Sequence, residues 1–292
     1  MPLPRTPCRL GALALLLAAV ALPVRAADDP LAQGDQAWAR RAEGHQGGQA
    51  APGPVAAALA AYERATEAHP EALEGYWKVL RALHFQGDYV ARTNPEKQAA
   101  FGRGREVSEA ALHRLAARVG GRAKLDRLSP QETAKALAGV PGAIDVYLWS
   151  AVDWGLWGDA FGRLAAARQG VGDRVRHYAE VAIAIDERYA DAGGHRVLGR
   201  LHTLAPKVPF FTGWVDRDKA VSELRRAVEL GPADPSNTLY LAEALLDFKP
   251  EKRAEAIALL RRLAAATPSP DRLVEDEKTL AQARALLAQQ KS

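Results

Sequence analysis

The side chains of this 292-residue chain that could do chemistry are its histidines, its carboxylates and a dense set of aromatic rings. His195 and His202 stand two helical turns apart, so one helix face would carry both imidazoles. A zinc site needs further donors. There is no HExxH, and the single cysteine, Cys8, lies near the N-terminus. His45, His69, His84, His113 and His177 are scattered. Asp216 and Asp218 stand where a helix starts, and carboxylates there answer the partial positive charge of the helix end. They read as helix-start charges rather than an acid–base pair. The GRGRE stretch at 102–106 lies inside a helical pattern and is no phosphate loop. No GxSxG, Walker loop or GxGxxG follows a predicted strand. These residue types argue against an enzyme, a metal and a cofactor.

The aromatics are more informative. In YLWSAVDWGLWGDAFGR (147–163), Tyr147, Trp154 and Phe161 are spaced by seven, so they share one helical stripe if the helix continues through Gly155 and Gly158. Trp157 is next to that stripe and Trp149 falls off it. Such a stripe either packs in a core or lines a groove for a small organic ligand or a protein partner. A packed core is the simpler reading, and Asp153 and Asp159 beside the tryptophans are what speak for the groove. A second group, Phe210, Phe211 and Trp214, lies in the linking stretch APKVPFFTGWVDRD (205–218). Rings of this size are costly in water and must dock on something. Neighbouring helices, a ligand and another subunit are all open at this point. Tyr147, Trp154, Trp157, Phe161, Phe210, Phe211 and Trp214 are therefore the candidate ligand- or partner-binding residues.

The elements that must position them are helices. Segments 56–68, 106–119 and 253–266 carry apolar residues at i, i+3, i+4 and i+7. Alternating runs of Val, Ile and Thr are absent. Ser129-Pro130-Gln131-Glu132 places a cap, a first-turn proline and an N3 glutamate in order. Proline and glycine clusters at 44–54, 139–142 and 205–213 mark breaks. Roughly ten to twelve helices are expected, and they recur in pairs. Ala58, Tyr62, Ala65 and Pro70 form a ladder that returns as Ala220, Leu224, Ala227 and Pro232, and more weakly as Ala256, Leu260, Leu263 and Pro268. Small alanines let two helices approach, the large residue fills the groove, and proline ends the helix. The expected fold is all-α, with tetratricopeptide-repeat-like helix pairs stacked into a solenoid or bundle. Residues 122–172 fit as a degenerate repeat or insertion, and 275–290 as a C-terminal capping helix.

Residues 1–26 read as a signal peptide. Arg5 and Arg9 precede an apolar run at 11–22, and Val24-Arg25-Ala26 has the small-x-small form of a cleavage site. Removing this segment takes away Cys8 and three arginines, so the formal charge falls from +4 to +1. A nearly neutral helical-repeat domain, 27–292, gives no electrostatic case for nucleic acid. It is expected to be soluble in a periplasm-like or extracellular space, without a membrane span once the leader is gone.

Several pieces in this order resemble a known family. They are YLWSAVDWGLWGD, then YAEVAIAIDERYADAGGHRVLGRLHTLAP with Gly193-Gly194-His195 and Leu198-Gly199, then DRDKAVSELRRAVELGP and NTLYLAEALL. Together they span 147–246, with weaker likeness over 62–115, and they are similar to the T component of tripartite TRAP transporters. The chain departs from that family in lacking a lipobox cysteine and in its bulkier PKVPFFTGW loop. The resemblance implies a periplasmic bundle of helix pairs around a central pore or groove. It also implies homo-oligomers, a partner in the transporter's substrate-binding component, and hydrophobic or organic-acid ligands. The alternative is a tetratricopeptide-repeat adaptor in cell-envelope assembly.

Overall fold

The computed structural model describes residues 29–207 and 212–290. Fourteen α-helices follow one another among them, with no strand beyond an isolated bridge between Gln46 and Gln49. Five helix pairs carry the architecture: α1 (Pro30–Ala39) with α2 (Pro52–Ala68), α3 (Leu73–Phe85) with α4 (Asn94–Arg118), α7 (Ala143–Phe161) with α9 (Val171–Ile185), α10 (Tyr189–Leu204) with α11 (Arg217–Leu230), and α12 (Pro235–Phe248) with α13 (Arg253–Ala264). The short helices α5 (Arg122–Leu125), α6 (Pro130–Ala136) and α8 (Arg163–Arg168) are connectors, and α14 (Leu273–Gln289) ends the series. Within 122–172, α7 pairs with α9, and the short helices α5, α6 and α8 lie on either side of it in the chain.

The helix starts follow from local chemistry. Thr93 with Glu96, and Ser129 with Glu132, form complete capping boxes. The carboxylates of Asp29, Asp216 and Asp234 accept the free N–H groups that open α1, α11 and α12. Helix α7 runs unbroken through Gly155 and Gly158 and stops at Gly162, whose φ of 87° suits glycine.

The alanine ladder is the packing device the spacing predicts. Ala58, Tyr62 and Ala65 are buried, as are Ala220, Leu224 and Ala227, and Ala256, Leu260 and Leu263. In two pairs the large residue of the second helix rests on a glycine of the first. A Cβ added to Gly34 would collide with the Tyr62 ring, and one on Gly199 would stand 2.6 Å from Leu224 Cγ.

The array closes on itself. Val274 of α14 is fully buried in the same apolar cluster as Ala37, Val55 and Leu83 of the first three helices. Around it, Arg41 pairs with Glu275 at 2.9 Å and Lys278 with Asp88 at 2.7 Å, while His45 lies 3.4 Å from Glu277. The Gly48 backbone presses on α14 so closely that a Cβ there would stand 2.6 Å from Lys278 Cα. A stacked repeat leaves an apolar face that only a neighbour can cover. Here the last helix covers the first pair, and the solenoid becomes a ring.

One local strain marks the ring. Ala190, Asp191 and Ala192 hold φ between 51° and 58°, the left-handed region, at the start of α10. Neighbours clamp this turn. Asn237 donates to the Asp191 carbonyl at 2.9 Å, Arg272 lies 3.7 Å from the Asp191 carboxylate, and Gly231 sits where any Cβ would strike that carbonyl.

Candidate functional site

The first helices of the last four pairs each turn one half-buried stripe toward the inside of the ring. On α3 and the single π-turn after it (Gln86–Val90), the stripe is Trp77, Arg81, His84 and Asp88, while Leu73, Leu80 and Leu83 on the other side are buried. On α7 the corresponding residues are Asp145, Trp149, Val152 and Leu156. Helix α10 contributes Tyr189, Arg196 and Arg200, and α12 contributes Tyr240 and Glu243. These stripes meet. The His84 ring lies 5.5 Å from Trp149 and 5.8 Å from Tyr89, and the Tyr189 hydroxyl donates to Asp145. At the closing seam, Lys278 of α14 stands over the Tyr89 face at 4.7 Å, and between the neighbouring helices α10 and α12 Arg200 stands over Tyr240 at 4.3 Å.

The electrostatics of this face are those of a recessed wall. Burial holds His84 down to about 4, against the pull of Asp88. Burial likewise raises the phenols of Tyr89 and Tyr240, helped for Tyr89 by Asp88. All three rings nevertheless keep partial solvent contact, so they line a concave space rather than a sealed core. Most charges here are already matched. Asp234 takes Arg196 at 3.0 Å and Arg272 at 2.7 Å, Arg200 takes Glu243, and Asp88 takes Lys278. Burial would raise the Asp234 carboxyl, but its two arginines outweigh it and hold the group well below the carboxylate range.

Arg81 is different. Its guanidinium lies 4.2 Å from the Trp38 ring centre and 5.0 Å from that of Trp77. No carboxylate of the described residues pairs with it; its one polar contact is a long 3.4 Å approach to the Tyr62 hydroxyl, and its Nε is buried without a partner. A guanidinium held between two indoles gains cation–π attraction while its remaining N–H groups stay available to an acceptor.

The aromatics singled out in the sequence fall elsewhere. Tyr147, Trp154 and Trp157 are at most 5 % exposed, because α4 and α9 pack on that face of α7. Trp154 and Trp157 are buried residues flanked by Arg105 and Arg174, and the groove that is the alternative along this stripe is closed by those helices. The predicted stripe and the accessible stripe are opposite faces of one helix, and Trp149, the tryptophan off the pattern, is the accessible one. Tyr147 reaches an outer cleft of about 370 Å³ with Arg122, Arg174, His177 and Tyr178. There Glu109 takes both arginines, at 2.8 and 3.1 Å, Asp126 takes Arg122 as well, and Asp173 takes Arg176 at 3.1 Å.

Phe161 stands 40 % exposed at the end of α7, stacked on Trp157 at 4.6 Å. Trp214 docks on its own chain. It lies edge-on to His202 at 5.4 Å, under Arg176 at 4.5 Å, and over Gly172. Phe210 and Phe211 lie outside the described residues. The two spaced histidines serve structure. His195 bridges Glu223 at 2.6 Å and Glu187 at 3.6 Å, whereas His202, held down to about 4 by burial, accepts the Asp216 N–H at 3.1 Å. No group of metal-binding side chains gathers among the described residues.

Sequence reasoning missed Trp77, Arg81, His84, Trp149 and Tyr240. Trp77, Arg81 and His84 at i, i+4 and i+7 could have signalled a non-apolar face on α3. What that face looks onto depends on the closure of the ring, which no local pattern encodes.

Neither a protein-family model nor a curated protein matches the chain. Among solved structures it is similar to TTC0263, a tetratricopeptide-repeat protein of Thermus thermophilus, at 19 % identity over 89 % of this chain and 96 % of that one, with a TM-score of 0.49. It is also similar to yeast Tom70, at 15 % identity over 95 % of this chain and 67 % of that one, with a TM-score of 0.31. By its own packing the chain is an all-α array of tetratricopeptide-like helix pairs.

Proposed function

We propose that this chain is an exported, non-enzymatic scaffold that binds a partner protein at the inner face of its ring. The observation that carries this reading is Arg81, a cation with no carboxylate partner among the described residues, caged by Trp38 and Trp77 on the same helix face as the half-buried His84, which meets Trp149. Such a wall suits an extended or helical segment that brings an acidic side chain and an aromatic or aliphatic anchor. Export rests on the leader-like residues 1–26. No helix among the described residues is long and apolar enough to cross a membrane.

The finer reading follows the resemblance over 147–246: the partner is the substrate-binding component of a TRAP transporter, and a small organic ligand shares the inner face. An adaptor role in envelope assembly is the competing outcome. Titrating the purified binding component from the same genome into this protein by calorimetry tests the choice. A 1:1 complex weakened roughly thirtyfold by Trp149→Ala, and more by Arg81→Glu, supports the proposal. A complex indifferent to both substitutions removes the inner face from the reading. No complex at all leaves the adaptor role. On this reading, any contact by the described sequence-predicted aromatics belongs to the end of the ring where Phe161 and Trp214 stand.

A further inference from the structure

Three large apolar side chains stand exposed among the described residues: Phe161 at 40 %, Leu164 at 76 % and Leu204 at 59 %. They are far apart in sequence, yet the fold gathers them at one end of the ring. Helices α7 and α10 both pack against α9 and run parallel to each other. Their N-terminal ends are in register, since Tyr189 bonds Asp145 and a Cβ on Gly193 would stand 3.0 Å from Leu148. Leu148 to Phe161 is about 13 residues and Gly193 to Leu204 about 11, or roughly 20 and 17 Å at 1.5 Å per residue. Phe161 and Leu204 thus reach the same rim, and Leu164 follows two residues after the Gly162 break. The cations nearest in sequence, Arg163, Arg168 and Lys207, are exposed and have no ion-pair partner among the described residues. Of the carboxylates at this rim, Asp173 pairs with Arg176, Asp218 pairs with Lys249, Asp216 caps α11 beside Lys207, and Asp159 is exposed.

We infer that this rim docks the protein on an anionic lipid surface. Protruding Phe and Leu beside unpaired basic side chains is the composition of an interfacial anchor: the apolar tips enter the headgroup boundary while the cations meet lipid phosphates. A membrane needs no shape complementarity, which fits side chains that stand on convex helix ends rather than in a cleft. The patch leaves the inner face open, so this inference does not depend on which partner that face takes.

The test is sedimentation of the purified protein, its N-terminus sequenced to establish that the apolar leader is gone, with vesicles of phosphatidylglycerol and phosphatidylcholine or of phosphatidylcholine alone. Binding is expected only with the anionic vesicles and should be lost at high salt. Leu164→Ser and Leu204→Ser should each weaken it about tenfold, and Arg163→Glu with Arg168→Glu should abolish it, with circular dichroism unchanged. Absence of binding, or equal binding by the leucine variants, overturns the inference. So does light scattering that shows self-association dissolved by Leu164→Ser, because a second copy would then cover the rim.

Discussion

Asp153 offers the sharpest test of how the core is built. It is fully buried on α7, neither carboxylate oxygen has a hydrogen-bond partner, and a Cβ on Gly104 of α4 would stand 2.9 Å from its Cγ. The unpartnered hydroxyls of Ser108 and Ser150 lie on the same two helices. With no cation to stabilise its charge, burial raises the Asp153 carboxyl well above its usual 3.8. The folded protein therefore holds this proton while the unfolded chain releases it. Below the unfolded value both states are protonated and the contribution to stability is intact. As pH rises past about 4, stability is lost at about 1.4 kcal/mol per pH unit until the folded state also ionises. Asp153→Asn keeps the shape and removes the titration. The measurement is urea unfolding of both proteins at pH 4.5 and 5.5. The variant should gain about 1.4 kcal/mol on the native protein over that interval, or roughly 3 to 5 °C in melting temperature. Other titrating groups are common to both proteins and cancel in the difference. Parallel stability curves, or a variant that loses ground as pH rises, would refute the reasoning.

Two further predictions address the ring. His84, held down to about 4 by burial, stays neutral while the unfolded chain protonates near 6.5, so this group's contribution to stability falls as pH drops from 6.5 to 4. A histidine NMR titration should place it near 4, and a midpoint near 6.5 would mean the inner face is open to bulk water. Lys278→Glu should set two carboxylates against each other at Asp88 and loosen α14. Hydrogen exchange of α14 should rise about tenfold, and Asp88→Lys in the same chain should restore it; exchange unaffected by either change would mean that the ring does not close there.

How much was legible in the sequence depends on the range of the physics involved. The signals that read correctly are local. The Thr93 and Ser129 caps, the apolar period and the alanine ladder act within one or two helices, and each fixes its element before any distant contact forms. The ladder alone implies paired helices, because Ala58 and Ala65 make sense only if another backbone comes close. The aromatic spacing of α7 likewise gave a true stripe. A stripe, however, says which side chains share a face and not what covers that face.

That last question was decided by tertiary structure. Trp154 and Trp157 became core because α4 and α9 arrive on their side, and Trp149 became wall because its side meets His84 across the inner face. Trp214, which had to dock on something, docks on α9 of its own chain. The closing of the ring rests on Val274 entering a core laid down by helices some 200 residues earlier, together with the pairs Arg41–Glu275 and Asp88–Lys278. Arg81 left without a carboxylate among the described residues is likewise a property of the folded assembly, since a charge is unpaired only relative to what could have reached it. Local sequence thus determined the helices and their pairing, because those energies lie within a few turns. Which faces are buried, which are open and where charge remains uncompensated were set by contacts between segments that sequence spacing does not connect.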